Sequence, residues 1–204
     1  MPRHNQRVVP HLVAFAKMPR LGRVKSRLAR DIGLVAAWQF YRTTMGSVLR
    51  ELDGGGRWLR WIAVTPDSAA VNPALWPRGW RRIPQGHGDL GARMGRVMRT
   101  LPPGPVVIVG TDVPGIRCRH IAQAFRALGS HDAVFGPAHD GGYWLVGLRR
   151  RPRCPEIFTG VRWSTPTALA DTMAGLPGFS VAMLETLQDI DNGADLACWR
   201  RGPA

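Results

Sequence analysis

The sequence predicts a single α/β domain, a three-layer structure built on a mostly parallel sheet. Apolar runs that suit buried strands alternate along the chain with segments of helical periodicity. That alternation favours parallel strands joined by right-handed crossovers, with helices on both faces of the sheet. The run Val106–Gly110 is rich in β-branched residues, as in strands that are covered on both faces. A chain of 204 residues suits one such domain, so we assign residues 1–204 to it.

The remaining elements follow from periodicity and from glycine and proline punctuation. Further strands are predicted at Val8–Ala16, Trp58–Thr65, Arg81–Pro84, Asp132–Phe135, Tyr143–Leu148 and Phe179–Leu184. Helices are predicted at Ser26–Leu52, Asp89–Leu101, Arg117–Leu128, Thr165–Gly175 and Asp191–Arg200, and irregular structure at Asp67–Gly79. Ligands bind such sheets at the carboxyl ends of the strands. The loops after Ala16, Gly110 and Phe135 are therefore the candidate binding loops.

The chain is strongly basic, with a net charge of +14 from 28 basic and 14 acidic residues. The arginines are spread along the whole chain and form no long basic tract with interleaved aromatic residues. This pattern indicates a general attraction for anionic small molecules more than it indicates nucleic-acid binding. A non-enzymatic anion or RNA binder stays open as an alternative.

The cysteines and the apolar segments bear on the location of the protein. Cys118, Cys154 and Cys198 are far apart and odd in number, which argues against a disulfide framework and a zinc knuckle. Every apolar run is too short to span a bilayer. We expect a cytoplasmic protein without a membrane partner.

The loop after the first strand concentrates positive charge. Five cations lie within eleven residues: Lys17, Arg20, Arg23, Lys25 and Arg27. Gly22 allows a close approach of the backbone to a ligand, and the following helix offers free N–H groups. These features suit a polyphosphate, although the spacing of a Walker A loop is absent. The alternative is a basic surface loop.

Three aspartates are candidate ligands for a hard cation. Asp112 directly follows the strand Val106–Gly110, where a carboxylate suits Mg²⁺ or Mn²⁺. Asp189 and Asp191 share one face if their segment is extended, so that one of them can complete a metal site. The alternatives are helix caps: Asp112 for the helix that follows it, and Asp191 or Asn192 for the last helix.

Two glycine-containing loops and one tryptophan are further candidates. Asp140 precedes two glycines, and it can bind an acceptor hydroxyl or act as a base; the alternative is a plain hairpin turn. Arg93 lies one turn into a helix that follows a glycine-rich loop, where Asp89 is the alternative as a helix cap. Trp163 either stacks on a substrate ring or covers the core.

Taken in order, these motifs resemble the family of small GT-A-type glycosyltransferase-like proteins, formerly a domain of unknown function. Some of its members are named arsenosugar-biosynthesis glycosyltransferases, and it is similar to guanylyltransferases of the molybdenum-cofactor and phospholactate pathways. The resemblance spans about residues 10–198 and rests on the segments Phe15–Leu28, Gly88–Met94, Gly110–Pro114, Asp132–Leu148, Phe158–Thr165 and Asp189–Leu196.

The resemblance implies a Rossmann-like nucleotide-diphospho-sugar transferase (GT-A) fold and dependence on Mg²⁺ or Mn²⁺. It implies a phosphate-binding loop containing Lys17, Gly22, Lys25 and Arg27, and metal ligands Asp112 and Asp191. We add Arg93 to the nucleotide-binding residues, and we assign catalytic roles to Asp112, Asp140 and Lys25. Two positions depart from the family pattern: Ser26 replaces the usual threonine, and His139 stands where an acidic residue is common.

Two reactions fit these expectations. In glycosyl transfer, the loop holds the diphosphate of a nucleotide-sugar while Asp140 orients or deprotonates the acceptor. In nucleotidyl transfer, the same loop holds a nucleoside triphosphate, and a phosphorylated acceptor attacks the α-phosphorus. Five cations suit a triphosphate at least as well as a diphosphate, so the sequence leaves both open. The predicted partners are a nucleotide and a small-molecule acceptor, with a homodimer as a candidate assembly.

Overall fold

In a computed structural model of the chain, residues 8–55, 57–150 and 154–201 are described. The predicted domain of residues 1–204 therefore includes ends that lie outside the described residues. Within the described ranges, the strands are β1 His11–Lys17, β2 Leu59–Thr65, β3 Arg81–Pro84, β4 Val106–Gly110, β5 Ala133–Pro137, β6 Tyr143–Leu148 and β7 Val181–Met183. The helices are α1 Ser26–Ile32, α2 Leu34–Glu51, α3 Leu90–Thr100, α4 Cys118–Ala127, α5 Ala168–Ala174 and α6 Gly193–Arg201.

The strands form one sheet in the order β3-β2-β1-β4-β6-β5-β7. All neighbouring pairs are parallel except those of β6, which runs antiparallel to both β4 and β5. A short hairpin joins β5 to β6, and so short a connection permits only an antiparallel pair. The predicted mostly parallel sheet is confirmed.

The core lies on both faces of the sheet. Along β1, Leu12 and Ala14 pack into one apolar cluster and Val13 packs into another, because successive side chains of a strand point to opposite faces. Helices α2 and α4 cover the first face through residues such as Leu49 and Ile121. Helix α3 covers the second through residues such as Met98. This arrangement confirms the predicted three-layer α/β fold.

The structure corrects two predicted elements. The single helix expected at Ser26–Leu52 is two helices, because Gly33 has a φ of 85° and turns the chain between α1 and α2. A left-handed conformation of this kind favours glycine and interrupts a right-handed helix. The strand expected from Val8 begins at His11, after Pro10, which has no N–H to give to the sheet.

The region expected to be irregular, Asp67–Gly79, contains two short 3₁₀ turns at Asp67–Val71 and Pro73–Leu75. No helix in the described ranges has the length and the apolar character that crossing a bilayer requires.

Two glycines of α3 give a matched test of core packing. A Cβ on Gly91 would lie 2.7 Å from Cζ2 of Trp163 and 2.8 Å from Cβ of Phe158. Trp163 therefore covers the core, next to the rings of Phe158 and Tyr143. A Cβ on Gly95 would instead meet Nη1 of the flexible Arg99, at 3.1 Å.

We predict that Gly91→Ala lowers the free energy of unfolding by about 1–3 kcal/mol, because the added methyl overpacks the core. Gly95→Ala raises it by about 0.5–1 kcal/mol, since alanine favours the helix and Arg99 can move aside. Urea unfolding of the two variants measures both values. Equal shifts in both variants would show that Gly91 is not tightly packed.

Candidate active site

A cleft of about 640 Å³ opens at the carboxyl edge of the sheet. Its walls come from the loops that follow β1 and β4, from helix α3 and strand β6, and from the segment that precedes α6. It is lined by six of the predicted site residues: Lys17, Lys25, Arg27, Arg93, Asp112 and Asp191. Gly22 and Asp140 are not among its lining residues. The structure thus brings most of the predicted site together at the edge where the strand order placed it.

The centre of the cleft is an ion pair between one lysine and two aspartates. Nζ of Lys25 lies 2.9 Å from Oδ2 of Asp112 and 2.7 Å from Oδ1 of Asp191. The side chain of Lys25 is only 6% exposed, whereas those of Asp112 and Asp191 are 38% and 36% exposed. Because one ammonium touches both carboxylates, the two aspartates share a single cation position.

Electrostatics keep this lysine charged. Burial alone would lower the pKa of Lys25, but the charges of Asp112 and Asp191 outweigh it and raise the pKa above its usual value. The backbone of Lys25 is left-handed, with φ 47° and ψ 50° at the start of α1. A non-glycine residue adopts this conformation at a cost in energy, and such residues cluster at functional sites.

The helix-cap alternative for Asp112 is wrong. Helix α4 is capped by Arg117, five residues further along the chain. The hydroxyl of the neighbouring Thr111 donates to the carbonyl of Phe15 at 3.2 Å. That bond ties the loop after β4 to the end of β1, and it leaves the Asp112 carboxylate free to face Lys25.

The residue that caps α6 is not the residue that contacts Lys25. The side chain of Asn192 accepts from the backbone N–H of Asp195 at 2.9 Å, and Asp195 accepts in return from the N–H of Asn192 at 3.1 Å. This reciprocal pair is a capping box. Asn192 therefore caps the helix, and the side chain of Asp191 is available to Lys25.

A third carboxylate stands beside the pair. Asp189 lines the cleft and is half-buried. Burial raises the pKa of Asp189 to about 6, and the negative charges of Asp140, Asp191 and Asp112 add to the shift. In the part of the chain that the structure describes, no group of three or more His, Cys, Asp or Glu side chains is arranged to hold a metal ion. The site thus offers a two-carboxylate cation position with more negative charge nearby.

Helix α2 fixes the backbone of the basic loop. The hydroxyl of Tyr41 donates to the carbonyl of Lys17 and accepts from its N–H, both at 2.9 Å. The indole of Trp38 donates to the carbonyl of Pro19 at 2.9 Å. Sequence reasoning missed both residues, although their spacing of three places them on one face of the helix. Together they hold the loop so that Lys17, Arg23, Lys25 and Arg27 line the cleft.

Gln85 positions Arg93 and was also missed. The side chain of Gln85 is buried, and its amide donates to the carbonyls of Ala16 at 3.2 Å and Ala63 at 2.8 Å. Its remaining oxygen accepts from Nη1 of Arg93 at 2.8 Å. Arg93 thus enters the cleft from a fixed direction. Asp89 caps α3 through the N–H of Ala92 at 2.8 Å, as the alternative interpretation of that loop held.

The loop of Asp140 is a hairpin turn between β5 and β6. The exposed Asp140 accepts from the N–H of Gly142 at 2.8 Å. Gly141 has a φ of 83°, and a Cβ there would lie 2.1 Å from the carbonyl oxygen of Pro166. Both glycines therefore serve the turn and its packing. The role of Asp140 as a base stays a prediction. Gly22 has a φ of 70° in open space, where its glycine character serves the turn of the basic loop.

The fold and the cleft together define a class. The chain has a seven-stranded, mostly parallel sheet, and its fold is that of nucleotide-diphospho-sugar transferases and nucleotidyltransferases. The chain belongs to the family described as "Uncharacterized protein conserved in bacteria (DUF2064)", whose model matches residues 48–165. No curated protein matches the chain.

Solved structures agree with this assignment. A protein of Desulfovibrio desulfuricans G20, assigned as a nucleotide-diphospho-sugar transferase, is 30% identical with a TM-score of 0.87, over 94% of this chain and 86% of that one. Rv0371c from Mycobacterium tuberculosis H37Rv, in complex with manganese, is 13% identical with a TM-score of 0.60, over 96% and 100% of the two chains.

The 4-diphosphocytidyl-2C-methyl-D-erythritol synthase of Anaerococcus prevotii DSM 20548 is 10% identical with a TM-score of 0.61, over 94% of this chain and 96% of that one. At these low identities, the last two structures show the fold alone. The predicted resemblance and fold are confirmed, and so is the broad class of enzyme, a transferase.

The two tyrosines of the chain give a pH test of the cleft. Burial raises the pKa of Tyr41 and of Tyr143 above the usual value, against the opposing effect of their hydrogen bonds. Each phenol is neutral in the folded protein at a pH where it ionises in the unfolded chain. Their contribution to stability is therefore complete below pH ~10 and is lost as the pH rises through the folded-state values.

We predict that phenolate absorbance of the folded protein appears only above the pH at which the denatured chain ionises. Titration of the two states side by side measures this difference, and Tyr41→Phe and Tyr143→Phe assign the two steps. Coincident curves for folded and denatured protein would contradict the burial of both phenols.

Proposed function

We propose that the chain is a metal-dependent transferase that moves a glycosyl group from a nucleotide-diphospho-sugar to a small-molecule acceptor. The observation that carries the proposal is the meeting of a basic loop and a carboxylate pair at one point, where Lys25 contacts Asp112 and Asp191. Cationic side chains and a divalent ion both stabilise the negative charge of a leaving diphosphate. The 30% identical relative, assigned as a nucleotide-diphospho-sugar transferase, adds support.

The residues present fit Mg²⁺ or Mn²⁺. Magnesium is commonly held by one or two carboxylates, with substrate phosphates and water completing its shell. Asp112 and Asp191 are both partly exposed, and they already share one cation position. The manganese complex of the neighbour Rv0371c is consistent with this assignment. When bound, the ion would neutralise negative charge on the leaving diphosphate.

Other side chains would bind the phosphates and accept the acceptor proton. Lys17, Arg23 and Arg27 line the wall on which the phosphates would lie. During transfer, the bond between the anomeric carbon and the diphosphate oxygen breaks, and the acceptor oxygen bonds to that carbon. The acceptor proton passes to a carboxylate. Asp140 is the predicted base, and Asp189 is a carboxylate of the cleft that does not contact Lys25.

Nucleotidyl transfer is the second candidate. Four cations of one loop line the cleft, which suits a triphosphate at least as well as a diphosphate. A phosphorylated acceptor would then attack the α-phosphorus, and pyrophosphate would leave. Binding of anions or RNA without catalysis is the third candidate; it gives no role to Asp112. The small acceptor, the homodimer and the cytoplasmic location stay predictions.

The released product separates the first two candidates. A thermal-shift screen of nucleotides and nucleotide-sugars with Mn²⁺ first identifies ligands, because a ligand of the folded state raises the melting temperature. Glycosyl transfer then releases a nucleoside diphosphate from a nucleotide-sugar, as we expect. Pyrophosphate released from a nucleoside triphosphate, with every nucleotide-sugar inert, would overturn the first candidate in favour of the second.

We predict that Asp112→Asn lowers metal-dependent turnover by about 100-fold or more, since a loss of ~2.7 kcal/mol of transition-state stabilisation gives that factor. Asp191→Asn should have an effect of the same kind. Steady-state kinetics at saturating Mn²⁺ measure both, with circular dichroism to confirm the fold.

The matched control is Glu156→Gln, which makes the same acid-to-amide change at an exposed residue paired with Arg99 outside the cleft. It should leave turnover within a factor of about two, as expected for an exposed ion pair. Full activity in both Asp112→Asn and Asp191→Asn would show that the site is elsewhere.

A further inference from the structure

The cation position between Asp112 and Asp191 is taken by a side chain of the protein itself. Lys25 reaches it with an ammonium 2.9 Å from one carboxylate and 2.7 Å from the other, and this side chain is almost fully buried. Arg27 adds a weaker contact, with Nη1 at 3.5 Å from Oδ2 of Asp191, and is 62% exposed. A divalent ion that took this shared position would therefore displace the ammonium of Lys25.

We propose that Lys25 makes the site selective for a metal–phosphate complex over free metal, because the metal can enter only when a phosphorylated ligand takes over the ammonium. The identity of that ligand as a nucleotide rests on the proposed function. The selectivity itself rests on the contacts of Lys25.

A free metal ion brings no anionic partner for the ammonium of Lys25 that it would displace. If a divalent ion alone replaced Lys25 between the carboxylates, the buried ammonium would lose both of its anionic partners. It would also lie close to the double positive charge of the ion. A buried charge without a partner is strongly unfavourable. Metal binding alone is therefore opposed by the protein.

A phosphorylated ligand completes the exchange. Phosphate oxygens accept from the ammonium of Lys25 as it leaves the carboxylates, so the lysine keeps an anionic partner. Lys17 and Arg27 line the same wall and can hold the remaining phosphate oxygens. Metal and phosphate thus favour each other's binding, and linkage requires the effect to be equal in both directions.

The two lysines of the chain allow a matched test, because both lie on the basic loop and line the cleft. Lys25→Met removes the cation that contacts the carboxylates. Lys17→Met removes one charge from the same wall, without a contact to Asp112 or Asp191. Binding of Mn²⁺ alone is measured by electron paramagnetic resonance of the free ion, with circular dichroism to confirm folding.

We expect Lys25→Met to bind Mn²⁺ about tenfold or more tightly than the wild type, within the usual range of coupling between sites. Lys17→Met should change the affinity by about threefold or less, as a distant charge does in a screened cleft. The double variant Lys25→Met with Asp112→Asn should lose the gain. Unchanged affinity in Lys25→Met, or an equal gain in Lys17→Met, would overturn the proposal.

A measurement on the wild type does not depend on the folding of a variant. With two lysines in the chain, ¹³C-lysine labelling gives two ε-carbon signals, and Lys17→Met assigns them. The Lys25 signal should stay in place with Mg²⁺ alone and should move with Mg²⁺ and inorganic pyrophosphate together. Movement with Mg²⁺ alone, or no movement with both, would contradict the exchange.

These readouts are independent of turnover. If the chain transfers neither glycosyl nor nucleotidyl groups, the proposed function fails while the Lys25 results stand. If Lys25→Met binds free metal no better than the wild type, the selectivity fails while turnover of a nucleotide-sugar stands.

Discussion

Lys25 donates to both Asp112 and Asp191, and the rest of the candidate site is arranged around that contact. It joins the loop after β1, the loop after β4 and the segment before α6. Strands β1 and β4 are parallel neighbours, so their carboxyl ends lie side by side and the first two loops meet there. Without a cation between them, Asp112, Asp189 and Asp191 would repel one another in a partly buried cleft.

The cleft combines opposite charges that have different origins. Its cations come mainly from one loop, whereas its carboxylates come from two separate segments of the chain. This arrangement suits a ligand that carries both signs, and a metal bound to a nucleotide diphosphate or triphosphate is such a ligand. The net charge of +14 draws anions to the protein as a whole. The cleft adds the carboxylates of Asp112, Asp189 and Asp191 among its lining residues, and a metal ion needs such ligands.

Much of the fold and part of the site could be predicted from the sequence. The β-branched run Val106–Gly110 predicted a central strand. The position of Asp112 shortly after that strand predicted that its carboxylate lies at the carboxyl edge of the sheet. The break at Gly33 escaped prediction, because a glycine within helical spacing does not reveal its φ angle. Tyr41 and Gln85 were missed because periodicity does not reveal which distant backbone groups a buried side chain bonds. The contact of Lys25 with both carboxylates likewise depends on tertiary structure alone.

A crystal structure with Mn²⁺ and inorganic pyrophosphate bound would show directly which cation lies between Asp112 and Asp191. Anomalous scattering locates the manganese without assumptions about its ligands. We predict one manganese peak between the carboxylates of Asp112 and Asp191, with the ammonium of Lys25 moved onto a phosphate oxygen. Manganese bound away from this pair, or Lys25 still bridging the two carboxylates with pyrophosphate in the cleft, would contradict the exchange at Lys25.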